Sequence, residues 1–496
     1  MSDWSAIEAL PSPKLVELFD ADSERLQKFS LDVAGIHFDW SKTHLTTQAV
    51  EAFAALAKAQ DLAGKRDAMF AGEHVNVTED RPVEHTAERG EGHADSVARA
   101  RKLHERMRSL IDAIEGGALG DIRHVLHIGI GGSALGPHLL VDALGREDKR
   151  YDVAIVSNVD GVALEDAIKD FDPAATLLVL ASKTFTTKET MLNAQSALQW
   201  MTEHGVDDPY GKVIALTAAA DKAMEWGVDE TRILPFGEGV GGRYSLWSSI
   251  GFPAAIGLGW GAFEELLDGA AEMDRHFRLT ALHENAPALA AFADLYYTQV
   301  RHAETRAPFA YDERLRLLPS YLQQLEMESN GKGVRTDGSP VGRPTAAITW
   351  GGVGTDAQHA VFQLLHQGTH LVPVEFIAVI EAGDSLAPDH HRDLLLNAFA
   401  QGAALMKGKQ ADDPARSYSG DRPSSTLLLD VLDPRTLGAL IAFYEHRVFV
   451  NGVLLGINSF DQFGVELGKE MAKAADQGGQ SFDPSTEDLI KRARLD

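Results

Sequence analysis

A carboxylate held at a helix end beside a glycine turn suits a general base, and Glu328 in PSYLQQLEMESNGKG, residues 319–333, has that setting. Leu318, Leu322 and Leu325 recur at helical spacing and Asn330-Gly331 supplies a stop, so the stretch predicts a short helix closed by a tight turn. Gln324 and Glu328 are four apart and share one face near its end, whereas Glu326 points elsewhere. A solvated helix carboxylate is the plainer reading of the same residues.

Five further constellations bear on that choice. GIGGSALG, Gly129 to Gly136, follows an apolar run, and its glycines let backbone N–H groups approach an anion at a helix start. It lacks the Gly-Lys-Ser/Thr ending of a P-loop. Gly129, Gly131 and Ala134 satisfy the loose dinucleotide pattern, with Asp160 further on than that fingerprint prefers, so a nicotinamide enzyme and a purely structural turn both stay open. SKTFTT places Ser182, Lys183, Thr184, Thr186 and Thr187 between a strand and a helix. Hydroxyls, a cation and helix N–H groups together make a cradle for a phosphate monoester, and plain N-capping is the alternative. Arg243 in GGRYSLW could stabilise a developing oxyanion or sit in a structural ion pair. His359, Gln363 and His366 share a helix face. His359 could exchange protons with a substrate oxygen or be a satisfied core histidine, and no carboxylate completes a metal site at ligand spacing. Lys469, seven residues after Gln462 and on roughly the same face, is either an inward-pointing lysine or a surface one.

These residues need a scaffold. Residues 1 to about 120 read mainly as helices, with a polar, irregular stretch at AMFAGEHVNVTEDRPVEHTAERG. From about 121, buried apolar strands alternate with helices (VLHIGIGG, VAIVSNVD, ATLLVLASKT, KVIALTAA). That alternation predicts a doubly wound, mainly parallel α/β sheet, with ligands at the C-terminal ends of its strands. A second set begins with the Glu328 helix and continues through AAITWGGVGTDAQHAVFQLL and LVPVEFIAVI. Residues 407–427 read as a loop, and TLGALIAFYEHRVFVNGVLLG as a long amphipathic helix. The expected organisation is an N-terminal helical region, 1–120, packed on the larger domain, a first α/β domain at 121–262, and a second at 263–496 that ends in a helical arm.

The totals narrow the function. A net charge of −27, with 73 acidic against 46 basic residues, argues against a nucleic-acid or anionic-membrane partner while leaving room for a local basic pocket. The chain has no cysteine, which excludes disulfides and thiolate chemistry and fits a cytoplasmic protein. MSDWSAIEALPSPK does not read as a signal peptide, and no apolar run of about 18 residues suggests a membrane span. The Asn76-Val77-Thr78 sequon therefore carries little meaning.

Taken together, HIGIGGSALGP, SKTFTTKET, GGRYSLWSSIG, QQLEMESNGKG, QHAVFQLLHQGT and INSFDQFGVELGK closely resemble the signatures of the glucose-6-phosphate isomerase family, in the family's order, from about residue 35 almost to the C-terminus. The resemblance implies two sugar-isomerase (SIS) type domains and a homodimer with shared active sites. It implies reversible conversion of glucose 6-phosphate to fructose 6-phosphate through a cis-enediol, with no cofactor and no metal. By the same matching, Glu328 corresponds to the base, His359 (supplied by the neighbouring subunit) and Lys469 to the ring-opening pair, and Arg243 to the arginine that steadies the enediolate. Ser182, Lys183, Thr184 and Thr187 correspond to the phosphate loop, and Gly132, Ser133, Gln324 and Gln462 to sugar- or phosphate-contacting positions. The chain departs from the pattern at Glu88, where leucine is more typical, which bears on local packing. A nicotinamide-dependent oxidoreductase and a catalytically silent sugar-phosphate sensor are the rival readings.

Overall fold

A computed structural model describes residues 4–146, 150–477 and 482–495. The remaining positions include the first three residues of the amino-terminal stretch and part of the charged tail, and lie outside it. The described chain divides into two compact units, Met1–Ser459 and Phe460–Asp496. Twelve strands belong to the first: β1 (Ser30–Val33), β2 (Ile36–Asp39), β3 (His124–Gly129), β4 (Asp152–Val156), β5 (Thr176–Ala181), β6 (Val213–Thr217), β7 (Ile233–Pro235), β8 (Thr305–Tyr311), β9 (Ile348–Thr349), β10 (Gly352–Val353), β11 (Val374–Val379) and β12 (Ser424–Leu429).

The first sheet is fully parallel, with order β4-β3-β5-β6-β7. Strands β3, β5 and β6 are buried at every position, as expected where helices cover both faces. The order reverses between β3 and β5, which pair in register from His124↔Thr176 to Gly129↔Ala181. A crevice opens at such a switch point, outside the carboxyl ends of the two strands. GIGGS leaves one of those ends and SKTFTT the other, so the two glycine- and hydroxyl-rich loops become neighbours.

The second sheet repeats the theme: β8, β11 and β12 run parallel, and β10 and β9 pair with β8. Its far edge differs from the expectation. β1 and β2, inside the stretch read as helical, form an antiparallel hairpin, and β2 pairs antiparallel with β12. The Ala34-Gly35 turn, with positive φ at both residues, closes the hairpin. Residues 424–427, the end of the polar, Gly- and Pro-containing stretch read as a loop, are strand instead. Ser424 is buried, β11 pairs with the whole of β12, and β2 pairs with residues 426–429 on the other edge. The helix Pro434–Leu455 is buried at every position from Thr436 onward, so it is a core helix rather than an amphipathic one. Its polar residues are paired internally: Tyr444 and Arg447 bind Glu375, and Asn451 binds Asp294.

Part of the irregular stretch before residue 90 is also core: Asn76, Val83 and residues 85–89 are buried, while Glu73, His74, Val77 and Asp80 are exposed. Asn76 is buried, donating to Glu79 at 2.7 Å and accepting from Asn458 at 2.8 Å, so the sequon is no glycosylation site in this fold. Glu88 is buried against His104, 3.2 Å away, in place of an apolar contact. Among the described residues no helix is long and apolar enough to cross a membrane. The second unit holds a 3₁₀ turn, Phe463–Val465, and two helices, Glu466–Gln477 and Pro484–Arg492.

Candidate active site

The helix carrying Glu328 spans Leu318–Asn330, with Pro319 in its first turn and Gly331 at its C-cap, close to the expected limits. Leu318, Leu322 and Leu325 are buried on its core face, which leaves the other face to the site. There Gln324 Nε2 donates to Glu328 Oε2 at 2.7 Å, and Arg243 Nη1 lies 3.4 Å from Glu328 Oε1. The Glu328 side chain keeps 21% of its surface exposed, enough to meet a ligand, whereas Arg243 is 3% exposed. Glu326 turns the opposite way and is buried beside Arg306 at 3.7 Å and Asn330 at 3.4 Å. Burial raises its pKa first and foremost, and Arg306 opposes the rise. Glu326 therefore belongs to the interior.

The glycine loop meets this pair through two close approaches. Gly131 has φ +57°, and a Cβ there would lie 2.9 Å from Gln324 Nε2. A Cβ on Gly132 would lie 2.1 Å from the carbonyl carbon of Gly242, beside Arg243. Only glycine lets these segments of the chain touch. His127, buried on β3, fixes the loop from below: its Nε2–H donates to the Ser133 carbonyl at 2.7 Å. Burial lowers its pKa to about 4, so it stays a neutral donor at working pH. Gly132→Ala is thus expected to force the Arg243 turn away, costing about 1–3 kcal/mol of stability and raising KM. Thermal melts and steady-state kinetics would show it, and an unchanged KM would contradict the packing argument.

In the second loop Ser182 Oγ lies 2.9 Å from Thr187 Oγ1, and Thr184 Oγ1 2.8 Å from Thr186 Oγ1. Thr184 and Thr186 are exposed. Between them Phe185 adopts φ +51° and buries its ring against Trp226, which anchors the loop. Lys183 reaches across to donate to the carbonyls of Glu238 at 3.0 Å and Val240 at 3.4 Å. It ties the hydroxyl loop to the segment leading into Arg243. Burial, with Arg81 nearby, lowers its pKa. The helix after Thr187 has no side-chain cap, so these hydroxyls are not used as N-caps. Asp160, by contrast, accepts from Val162 N at 3.1 Å and caps the helix Gly161–Ile168, the plain reading of that residue.

The sequence profile of phosphoglucose isomerase matches residues 39–490. The chain belongs to the phosphoglucose isomerase family. It is 69% identical to a glucose-6-phosphate isomerase of Rhizorhabdus wittichii, over 99% of this chain and 98% of that one. It is 64% identical to the glucose-6-phosphate isomerase of Zymomonas mobilis, over 99% and 97%. A crystal structure of a glucose-6-phosphate isomerase from Chlamydia trachomatis superposes with a TM-score of 0.90 at 31% identity, covering 99% of this chain and 97% of that one.

Within the phosphoglucose isomerase framework, Glu328, Gln324, Arg243, Gly132 and Ser133 come together, with the Ser182–Thr187 loop joined to the Arg243 segment through Lys183. His359 lies elsewhere. It stands exposed near the start of the helix Asp356–Gln367 and lines an open concavity with His390, His391, Asp389 and Asp393, to which none of the Glu328 cluster contributes. Its helix partners are engaged separately, Gln363 with Gln367 and His366 with Gln401. Gln462 and Lys469 belong to the second unit, Gln462 just before its 3₁₀ turn and Lys469 near the start of the helix Glu466–Gln477. Sequence reading weighed Gly131 only for a dinucleotide pattern, and missed Gly242, Phe185, His127, Tyr244 and Ser329. The glycines carried a signal, two Gly pairs flanking the chemistry; His127 and Phe185 looked like ordinary strand and loop residues.

Proposed function

We propose that this chain interconverts glucose 6-phosphate and fructose 6-phosphate through a cis-enediol, with Glu328 as the base. The supporting observation is one carboxylate, partly exposed, hydrogen-bonded by Gln324 and 3.4 Å from a buried arginine, at the mouth of a switch-point crevice that carries a hydroxyl-rich loop. Ser182, Thr184 and Thr187 hold the substrate phosphate, and Lys183 lends positive charge while bracing the Arg243 segment. Gly132 presents its backbone N–H to the same substrate, and Ser133, whose own N–H donates to the Ile130 carbonyl at 3.2 Å, meets it through its side chain. Binding at the phosphate fixes which carbons face Glu328 and supplies energy remote from the reaction.

The cyclic sugar first opens, with Lys469 and His359 exchanging protons with the ring and anomeric oxygens. Glu328 then removes the C2 proton of the aldose, and electrons move into the C1–O1 carbonyl to give the enediolate. Arg243 stabilises that charge. Return of the proton to C1, with transfer between the two oxygens, yields the ketose. Gln324 binds the substrate beside the base, and Gln462 is a further substrate-binding residue. In this reading a second copy supplies His359 and the working form is a homodimer with shared sites; the place of His359 away from the Glu328 cluster supports it. The cysteine-free composition supports a cytoplasmic setting.

The test is isomerisation of fructose 6-phosphate by the purified protein with a chelator present and no nucleotide added. Turnover under those conditions is expected. Tight sugar-phosphate binding without turnover would make the chain a sensor instead, and a requirement for NAD would return the oxidoreductase reading.

A further inference from the structure

We infer that Ser329 and Tyr244 are positioning residues for Arg243, forming a buried hydroxyl pair that fixes the plane of its guanidinium against Glu328. The inference rests on the proposed role of Arg243 in steadying the intermediate.

A guanidinium is a planar fork, and its catalytic use depends on where the fork points. Here two of its nitrogens have fixed partners. Nε donates to Ser329 Oγ at 2.6 Å, and Nη2 donates to the Ser459 carbonyl. The Nη1 edge is thereby turned toward Glu328 Oε1 at 3.4 Å. Ser329 is fully buried and is itself held by Tyr244, whose OH lies 2.9 Å from the serine oxygen. The Tyr244 ring also lies under the guanidinium, with its centroid 5.4 Å from the central carbon. Burial pushes the Tyr244 phenol up to about 12, so it remains a neutral hydroxyl partner through the working range. The carbonyl side is equally braced: Ser459 Oγ donates to Asn330 Oδ1 at 2.7 Å, and Asn330 Nδ2 donates to the Val448 carbonyl at 3.0 Å.

The chain thus couples base and arginine through adjacent residues. Glu328 and Ser329 are consecutive on one helix, and Arg243 and Tyr244 are consecutive on one 3₁₀ segment. Each segment contributes one group to the reaction and one to its alignment. An alanine-for-serine change leaves both charges and the Ser459 contact in place but removes the Nε partner that sets the plane of the fork.

The experiment is a double-mutant cycle. Ser329→Ala and Tyr244→Phe each remove a single oxygen, and the phenylalanine keeps the ring beneath the guanidinium. Each is expected to lower kcat about tenfold to a hundredfold, the scale of a small misplacement of a catalytic group, with KM for fructose 6-phosphate changed by no more than about twofold. In an Arg243→Ala background, Ser329→Ala is expected to lower kcat no further. Melting temperatures and circular dichroism identify a variant that is merely misfolded, and Tyr244→Phe serves if Ser329→Ala is one. Additive losses with Arg243→Ala, or no loss in either single variant, would overturn the positioning role while leaving Arg243 in place. An Arg243→Ala variant of undiminished kcat would overturn the arginine's own role and this inference with it.

Discussion

Glu328→Gln is expected to lower kcat roughly 10²–10⁴-fold, the usual worth of a positioned general base, with the melting temperature close to that of the unaltered protein. The amide keeps the length of the side chain and can still meet Gln324 and Arg243 after a flip, so folding has little reason to suffer. It cannot accept the carbon-bound proton. The accompanying measurement is exchange of that proton with solvent deuterium during turnover, followed by NMR, which should fall in parallel with kcat. The neighbouring Glu326→Gln should behave in the opposite way. Glu326 is 3% exposed and paired with Arg306, so its loss should act on stability and leave exchange at the substrate carbon intact. Full exchange in Glu328→Gln would reject this carboxylate as the base, and the burial of Glu326 means that the replacement would have to come from outside this helix.

The base helix was legible because three leucines at helical spacing and an Asn-Gly stop all agree locally, and the structure places its ends near those signals. The parallel sheet was legible for the same reason: each strand of the β3–β6 set is largely apolar, with His127 inside β3, and ends in a glycine or hydroxyl turn. The strands that escaped notice are those whose burial comes from distant neighbours. β12 reads Ser-Ser-Thr and becomes a strand because β11 and β2 supply partners on both edges. The hairpin of β1 and β2 is short and polar on one face, with no internal run to announce it. Within the site, motif spacing marked Glu328, Arg243 and the hydroxyl loop, but not what aligns them. The contact between Gly132 and Gly242 joins residues far apart in sequence, and no local pattern encodes such an approach. His359 illustrates the complementary limit, since a helix-face pattern locates a side chain on its element and says nothing of which concavity it lines.

The largest stability loss should come from Arg89, a residue in the stretch that looked irregular. It is fully buried, donates to Asp274 at 2.6 and 2.8 Å, also pairs with Glu445, and lies 4.7 Å from the Trp247 ring. Glu445 in turn accepts from Trp247 Nε1 at 2.9 Å, and Trp247 ends the 3₁₀ segment that begins at Gly242 and carries Arg243. The network therefore sits directly behind the candidate site. Arg89→Leu leaves two buried carboxylates facing each other, and removal of one partner from such a cluster typically costs about 3–5 kcal/mol. Its pH dependence has a definite sign. Burial raises the Glu445 pKa to about 7 even with Arg89 opposing it. Between the ordinary carboxyl range and that value, the folded state holds a proton that the unfolded state has released, so this group's contribution to stability falls as pH rises through the window. Without Arg89 the folded pKa moves higher still and the window extends upward. Urea denaturation at pH 6 and pH 8 should thus show Arg89→Leu losing more stability between the two than the unaltered protein does. Adding Glu445→Gln and Asp274→Asn should recover much of the loss, because the uncompensated charges are gone. A loss under about 1 kcal/mol that is the same at both pH values, smaller than any broken buried pair should give, would mean that the three groups do not act as a charge cluster.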